Sequence, residues 1–343
     1  MKAKDFDDIL NSNDAVGLKS IEQLEPVLGA GETIFPPTYA DVGYQINRNP
    51  TNGDSVVVID SVGSQANRTE PIFKDKPYSA LVPQIHVILG SRRVNLLDIG
   101  HRGADAAIRL TELGTKLNEA FESLERDRDG VQLAKIAPTS LIFGAWDSRG
   151  TQAKARRVVR HTIEGSEVFE LKRSAQYTPA VDYVAEGLVT EKEIKTKSGA
   201  KNVGAKVGML DNPAPGGLGG VRVKEIRRLG LLNLNVIRNI KGSTPESTAS
   251  LQRYLFGLAL VAFVCPAELD LREGCELVRK IDEEPTIVLR RISSAESLTP
   301  TPEAVLNYAQ ATAREFGVGE NREVEFDKKL AKEALKTVGK EKD

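Results

Sequence analysis

Short apolar runs separated by turn residues dominate the first part of this chain. Ser55–Asp60 is rich in β-branched residues and predicts a buried strand. Ser61 follows as an N-cap, and the helix that it starts must end at Pro71. Gln84–Leu89 and Val94–Ile99 predict two more strands with a connection of hairpin length. The order so far is strand, helix, strand, strand.

A long amphipathic stretch comes next. Leucine and phenylalanine recur at three- and four-residue spacing from Arg102 to Arg128, which predicts one long helix that stops at Gly130. Pro138–Trp146 then predicts another strand. The completed order is the βαββαβ of ferredoxin-like (RRM-like) domains. The sequence therefore predicts an α+β fold with a ferredoxin-like palm, large insertions and C-terminal helices.

The remaining segments differ in composition. Ser243–Glu246 predicts a capping box, and the helix from about Thr244 to Val264 is apolar nearly all round and is expected to lie in the core. The predicted parts are an acidic, irregular lead-in with one or two edge strands (1–54), the palm core (55–146), a basic insertion (147–242), a helical part packing on the palm (243–320) and a charged tail helix (321–343).

Composition indicates a soluble globular protein: 343 residues, 40% hydrophobic, 28% charged and a net charge of −1. That near-zero charge is a cancellation. The first 60 residues carry four basic and ten acidic side chains, a net of −6, whereas residues 191–241 carry eleven basic and four acidic ones, a net of +7. A segment with this excess of positive charge is typical of a surface that binds polyanions.

Two cysteines ten residues apart, Cys265 and Cys275, match neither a disulfide framework nor a zinc spacing. The apolar run Tyr254–Cys265 is too short to span a bilayer, and the acidic first residues are unlike a signal peptide. We expect a cytoplasmic protein without a membrane partner.

The densest group of candidate binding residues follows the last predicted palm strand, between Asp147 and His161. A single acidic residue, Asp147, accompanies the cations there, which favours phosphate binding over a merely solvated charged face. The cations are Arg149, Lys154, Arg156, Arg157 and Arg160, with His161 at the end.

Two helix starts offer further candidates. His101 and Arg102 stand at the start of the long predicted helix, whose geometry places Arg102, Asp105 and Arg109 on one face; RNA contact and an orienting Asp–Arg pair explain them equally well. The small polar side chains after the first strand suit phosphate or sugar contacts, although capping explains Ser61 as well. They are Ser61, Ser64, Gln65, Asn67 and Arg68.

The Gly-rich segment Pro213–Gly220 predicts a loop. Such a loop would let a nucleic-acid backbone approach main-chain N–H groups, although plain flexibility is the commoner meaning of this composition. It matches neither a Walker loop nor a dinucleotide fingerprint. The candidate contacts are Gly216, Gly217, Gly219, Gly220 and Arg222, together with Arg173 upstream.

Recognisable catalytic motifs are absent from the sequence. It contains no GxSxG and no HExxH, and neither cysteine has a histidine partner that the sequence motivates. Asp98, Asp105 and Asp147 each stand near a predicted strand end and could hold Mg²⁺, with Asp147 the best placed, but an aspartate that turns the chain out of a strand is the usual explanation. We expect no catalytic residue, metal or cofactor.

Several segments together resemble a known family. They are Asp60–Glu70 (DSVGSQANRTE), Leu97–Arg109 (LDIGHRGADAAIR), Leu133–Lys154 (LAKIAPTSLIFGAWDSRGTQAK), Ser174–Tyr177, Gly219–Val223 and Arg253–Leu260. In this order they resemble the backbone subunit of type I-G (formerly I-U) CRISPR effector complexes, the Csb-one or Cas-seven family of the RAMP superfamily. The likeness spans roughly residues 22 to 280.

The resemblance implies a palm with finger- and thumb-like insertions, and many copies lined up along one CRISPR guide RNA as a scaffold. It also implies, as partners, a target nucleic acid expected to be DNA, other Cascade subunits and a separate helicase-nuclease. Two alternatives stay open: a metal-dependent RNA-cleaving member of the same superfamily, and a monomeric single-stranded RNA-binding module. Low aromatic content, 5%, favours a protein that grips the RNA backbone.

Overall fold

The computed structural model describes residues 1–194, 203–210, 212–265, 269 and 271–340. The helices are α1 Ala3–Asn11, α2 Val62–Thr69, α3 Ala106–Arg109, α4 Gly114–Asp127, α5 Val131–Ile136, α6 Thr139–Phe143, α7 Glu191–Ile194, α8 Val203–Lys206, α9 Leu234–Arg238, α10 Pro245–Val264, α11 Pro302–Phe316 and α12 Lys328–Lys340. Short 3-10 helices cover Glu70–Lys74, Ser79–Leu81, Leu96–Asp98 and Arg102–Ala104.

The strands are β1 Ala15–Pro26, β2 Thr38–Tyr39, β3 Gly43–Tyr44, β4 Ile46–Arg48, β5 Ser55–Asp60, β6 Ile85–Leu89, β7 Arg92–Asn95, β8 Ala145–Trp146, β9 Lys154–Ala155, β10 Val159–Ser166, β11 Phe169–Tyr177, β12 Asn212–Arg222, β13 Glu225–Asn233, β14 Leu277–Arg279, β15 Thr286–Arg291, β16 Ala295–Leu298 and β17 Arg322–Glu325.

An eight-stranded antiparallel sheet lies at the centre, in the order β16-β15-β1-β13-β10-β5-β4, with β14 pairing to the end of β1. A three-stranded sheet, β17-β6-β7, is separate from it, as are the two-stranded ribbons β11–β12, β2–β3 and β8–β9. Helices pack between and beside these sheets. The predicted α+β class is therefore confirmed.

Helix α10 lies in the main hydrophobic core, as predicted. Thr244 caps it by accepting a hydrogen bond from the Ser247 amide at 3.2 Å, and Ser247 completes the capping box that the sequence assigned to Glu246. Buried side chains cover all sides of the helix from Leu251 to Phe263. By length and composition α10 could cross a membrane, but 61% of its most apolar window is buried inside the protein, as in a core helix.

The first residues are not an irregular lead-in with edge strands. Helix α1 is followed by the twelve-residue strand β1, which pairs with β13 on one side and with β15 on the other. Its buried side chains Ala15 and Leu18 belong to the main core. That prediction was wrong because the charged residues Lys19, Glu22 and Glu25 interrupt the apolar pattern of β1, although Glu22 is itself buried beside Arg228.

The long helix predicted from Arg102 to Arg128 is broken into three pieces. Arg102 adopts a left-handed backbone (φ 55°) inside a 3-10 turn, and Asp105 then caps the short helix α3. Leu110 leaves helical geometry, and the chain starts again as α4, which keeps the predicted spacing and ends at Arg128. Arg102, Asp105 and Arg109 therefore do not share one helix face.

The predicted strand at Pro138–Trp146 is also wrong. Its apolar residues form the buried helix α6, which Pro138 precedes and Gly144 ends with a φ of 83°, leaving only the two-residue strand β8. A short apolar run that is buried on every side carries no period that distinguishes a helix from a strand.

The strands of residues 55–146 do not make one sheet. Strand β5 and the Ser61-capped helix α2 have the predicted bounds, but β5 joins the large sheet, whereas the predicted hairpin β6–β7 belongs to the three-stranded one. Strand β7 ends at Asn95, whose side chain accepts the Leu97 amide at 2.9 Å and starts a 3-10 turn. The predicted assignment of βαββαβ to these particular strands is therefore wrong.

Two later segments also differ from expectation. The Gly-rich segment is not a loop: Pro213–Gly220 lies within β12, which pairs along β11 with register shifts. The tail helix is preceded by β17, which adds to β6 in parallel. Residues 341–343 of the predicted tail helix lie outside the described residues, as do Lys195, Lys197 and Lys201 of the basic segment.

Candidate nucleic-acid interface

An open hollow of about 670 Å³ brings together predicted site residues from three segments of the chain and adds Trp146 from a fourth. Asn67 of α2, His101 and Arg102 before α3, Trp146 of β8 and Lys154–Arg157 around β9 all line it. A second hollow of about 530 Å³ shares Arg156 and Arg157 and adds Arg160 of β10. We call these two adjoining hollows the basic groove.

The cations of this groove point to solvent without acidic partners. Lys154, Arg156, Arg157 and Arg160 line it and are exposed; Arg149, in the turn after β8, is exposed as well but does not line it. In the part of the chain that the structure describes, no carboxylate forms an ion pair with any of these five side chains. Unpaired guanidinium and ammonium groups along an open groove suit the phosphates of a nucleic-acid strand.

Arg102 is a structural part of the groove rather than an exposed cation. Its Nε lies 2.7 Å from Oε2 of Glu70, and both side chains are almost fully buried. The same guanidinium donates to the carbonyls of Gly100 and Gly144 and to Oδ1 of Asn67, each at 3.2 Å. Arg102 thereby ties together three of the segments that form the groove, so the expected direct RNA contact is replaced by a supporting role.

Gly144 fixes the position of Arg157. A Cβ at residue 144 would lie 2.6 Å from Cγ of Arg157, and the φ of 83° is one that side-chain-bearing residues rarely adopt. Arg157 crosses the glycine and donates from Nε to the Phe143 carbonyl at 2.9 Å. This hydrogen bond fixes the guanidinium at its Nε and leaves the residue exposed to solvent.

The α2 candidates have mixed surroundings. Ser61 is the N-cap and accepts the Ser64 amide at 3.3 Å. Gln65 is buried and donates to Asp60 at 2.6 Å, so its expected RNA contact is replaced by an internal one. Arg68 lies 3.3 Å from the same carboxylate and also donates to the Leu271 carbonyl. Only Asn67 of this group lines the groove.

The ribbon β8–β9 presents one aromatic ring beside the cations. Trp146 pairs with Lys154 across the ribbon, and Nζ of Lys154 lies 4.6 Å from the centre of the indole. More than half of Trp146, 55%, is exposed. Sequence reasoning missed this residue, although it is the only tryptophan of the chain and immediately precedes the basic cluster, a signal that could have found it.

Asp147 holds the turn that joins the two strands of this ribbon. It is buried, lies 2.7 Å from Arg109 and accepts the amide and hydroxyl of Thr151, each at 2.8 Å. Burial raises the pKa of Asp147, but the hydrogen bonds from Thr151 and Arg109 outweigh it and keep the pKa below its usual value. The ionised carboxylate of Asp147 therefore stabilises the turn through three contacts: the Arg109 guanidinium, the Thr151 amide and the Thr151 hydroxyl.

The other acidic candidates also have protein partners. Asp98 pairs with Lys74 at 2.6 Å, and Asp105 accepts the Ala107 amide at 2.9 Å as the cap of α3. Among the described residues, no three His, Cys, Asp or Glu side chains lie together as ligands of one metal ion would. His161 is buried too, and desolvation with nearby Arg228 lowers its pKa to about 3.

The hairpin β11–β12 carries the remaining candidates, none of which lines the basic groove. Arg173 is exposed and lies opposite Gly217, while Arg222 donates to the Thr33 hydroxyl at 3.2 Å. Gly220 has a φ of 92° and donates its amide to the Tyr44 hydroxyl at 3.0 Å. Gly216 and Gly219 share the same strand.

The fold and the groove together define an α+β protein that displays one tryptophan and a cluster of cations, without ion-pair partners among the described residues, on a single open surface. Residues 18–170 match the model of a family described as CRISPR-associated protein GSU0053. The resemblance seen in the sequence is thereby confirmed, and it supports a role in a CRISPR system. No curated protein matches the chain.

Proposed function

We propose that this protein is a guide-RNA-binding backbone subunit of a type I Cascade-like surveillance complex. The basic groove carries the proposal, because four exposed cations between Lys154 and Arg160 lie along it and have no ion-pair partner in the described part of the chain. The family match supports the CRISPR context. Contacts between such cations and phosphates do not depend on the base sequence. A backbone subunit requires this property, because it must bind guides of any sequence.

The order of strands in the large sheet supports a ferredoxin-like palm built from other strands than those predicted. If β2–β9 and the ribbon β11–β12 are counted as insertions, the chain runs through β1, helices, β10, β13, α10 and β15, which is a βαββαβ order. In the sheet these strands lie as β15-β1-β13-β10, all antiparallel to their neighbours. In this palm the basic groove flanks β10, and β5 extends the edge.

Salt dependence of RNA binding tests the groove. The double variant Arg156→Gln/Arg160→Gln removes two exposed cations that have no ion-pair partner among the described residues. The log–log slope of affinity against salt for a single-stranded RNA is expected to become shallower by about 1.4, at about 0.7 for each phosphate that is no longer neutralised. Fluorescence anisotropy of a labelled oligoribonucleotide at several salt concentrations measures this slope.

A matched double variant controls for the removal of charge. Arg93→Gln/Arg322→Gln removes two arginines from the three-stranded sheet, where each pairs with a glutamate. Its salt slope is expected to equal that of the wild type. Equal slopes for both double variants would contradict an RNA site in the basic groove.

The scaffold is proposed to have no catalytic activity. Asp147, the best candidate for a metal-dependent ribonuclease, is enclosed by Arg109 and Thr151, which supports a structural role. Incubation of the purified complex with complementary RNA and Mg²⁺ is expected to leave the RNA intact. Cleavage that Asp147→Asn abolishes, with folding retained, would favour the alternative nuclease.

Assembly along the guide distinguishes a backbone subunit from a monomeric RNA-binding module. We propose heterologous head-to-tail contacts in the cytoplasm, alongside other Cascade subunits, a helicase-nuclease and a DNA target. The hairpin β11–β12 is a suitable finger- or thumb-like projection, with Phe169 and Tyr177 exposed at its ends. Size exclusion with RNAs of increasing length is expected to give complexes whose mass grows in steps; a constant one-to-one complex would favour the monomeric module.

Successive copies could in principle attract each other through the acidic residues 1–60 of one copy and the basic residues 191–241 of the next. The contacts within one subunit give this idea little support. Asp7, Asp14 and Glu22 already pair with arginines of the same chain. In the basic segment, Lys224 pairs with Glu167, and Arg238 donates to carbonyls at the end of α1 and at the start of β1. Part of the charge that would attract a neighbour is therefore already engaged within one subunit.

A further inference from the structure

We propose that Trp146 forms a nucleobase-binding site in the basic groove, where an unpaired base of the bound RNA stacks on the indole. The inference rests on the proposed function and adds a base contact to the phosphate contacts. It departs from the expectation, drawn from the low aromatic content, that the protein grips only the RNA backbone.

The exposure of Trp146 is the first observation. Trp146 is 55% exposed and lines the same hollow as Asn67, His101 and Lys154–Arg157. Tryptophan is enriched at binding surfaces, because its ring buries a large apolar area and its N–H can remain hydrogen-bonded. Aromatic side chains next to cations are the usual means of holding single strands, since every base has a face that can stack.

The rigidity of the ring is the second observation. Trp146 lies in the ribbon β8–β9, whose connecting turn is held by Asp147 through Arg109 and Thr151. Lys154 places its ammonium over the ring at 4.6 Å, so a cation covers part of the indole. The exposed remainder is therefore held in a fixed orientation, which reduces the entropic cost when a base stacks on it.

The phosphate and base contacts lie at compatible positions. Arg156 and Arg157 closely follow Lys154 and line the same hollow as Trp146. A strand whose phosphates lie along these cations places its bases within reach of the ring. Stacking on one tryptophan is worth about 1–3 kcal/mol, equivalent to a change of about 5- to 150-fold in Kd.

Intrinsic fluorescence tests the contact on the unmodified protein, because Trp146 is the only tryptophan. Titration of the RNA-free full-length chain with a short oligoadenylate is expected to quench the emission with the Kd measured by anisotropy. Binding that leaves the emission unchanged would overturn the base contact while leaving the proposed function intact. Absence of any salt-dependent binding would instead contradict the proposed function itself.

An abasic oligonucleotide separates a base contact from other effects of substitution. Trp146→Ala is expected to weaken binding of the oligoadenylate by about 5- to 150-fold with an unchanged salt slope, since tryptophan neutralises no phosphate. For an abasic chain of the same length, wild type and variant are expected to bind equally. An equal reduction on both oligonucleotides would overturn the proposal.

Two further variants exclude a folding artefact. Trp146→Phe keeps an aromatic face and is expected to retain most of the affinity. Tyr39→Ala removes an exposed aromatic (43%) that does not line the groove and is expected to change nothing. A reduction of affinity in Trp146→Phe as large as in Trp146→Ala would contradict stacking.

Discussion

The guanidinium of Arg102 lies 2.7 Å from the carboxylate of Glu70 at the basic groove, and both side chains are nearly inaccessible to solvent. Glu70 follows α2 at the start of a 3-10 helix, whereas Arg102 has a left-handed backbone 32 residues later. Because Arg102 also holds Gly100, Asn67 and Gly144, this pair connects the groove to the interior.

At pH 8, where Glu70 is ionised, Arg102→Ala is expected to destabilise the protein by about 3–5 kcal/mol, because it leaves the Glu70 carboxylate buried without its cation. Urea unfolding measures the change. Arg126→Ala, which removes an arginine from the exposed pair with Asp127, is the control and is expected to change the free energy of unfolding by less than about 1 kcal/mol. Equal effects would contradict the structural role of the buried pair.

The stability contributed by Glu70 is expected to depend on pH. Burial raises the pKa of Glu70 from 4.5 to about 7, against the opposing effect of Arg102 and of the hydrogen bond from Thr139. Between these two values the folded state binds the proton more tightly than the unfolded state. The stabilisation from this proton is therefore fully present below pH 4.5 and is lost as the pH rises through 7.

Glu70→Gln tests this dependence, since glutamine keeps the shape of the protonated acid and does not titrate. The free energy of unfolding of the wild type, minus that of the variant, is expected to fall between pH 4.5 and 7 with a slope of at most about 1.4 kcal/mol per pH unit. A difference that stays flat across this range would show that Glu70 does not titrate there.

Gly144→Ala is expected to weaken RNA binding as well as stability. The new Cβ requires Cγ of Arg157 to move, and the positive φ adds about 1–3 kcal/mol of strain. Gly53→Ala is the matched control: its φ is 77°, but nothing lies within 4 Å of the added Cβ. It is expected to lower stability without changing RNA affinity, measured by anisotropy. Equal RNA affinities for the two variants would contradict the positioning of Arg157 by Gly144.

Two neighbouring positions of β1 test whether the first residues belong to the core. Leu18 is 1% exposed and Val16 is 39% exposed on the same strand. Leu18→Ala is expected to cost about 2–5 kcal/mol of unfolding free energy, and Val16→Ala less than about 1 kcal/mol. Similar small decreases at both positions would instead favour an irregular lead-in.

Local signals in the sequence were sufficient to predict those elements whose bounds are set by residues within a few positions. Ser61 marks the start of α2, and the β-branched residues of Ser55–Asp60 mark β5 with its observed bounds. The cations between Arg149 and Arg160 are close in sequence, and four of them remain together along the groove. The family match over residues 18–170 likewise covers three of the segments that carry the resemblance.

Other assignments depend on contacts between residues far apart along the chain. Nothing near Arg102 reveals that it turns inward to Glu70, and nothing near Pro138–Trp146 distinguishes a buried helix from a buried strand. Strand β1 pairs with β13 and β15, more than 190 residues away. Local pattern cannot indicate such pairings, because the partner that buries each face lies outside any sequence window.

The sequence by itself was enough to match the family model over residues 18–170, to predict the α+β class and to locate the basic cluster. The tertiary structure alone decided which cations are exposed in the basic groove and which, like Arg102, hold it together. It also placed Trp146 beside them. The physical reason is burial. The sequence does not show whether a charged or aromatic side chain is exposed to solvent or packed inside the protein, because that depends on contacts with residues far away along the chain.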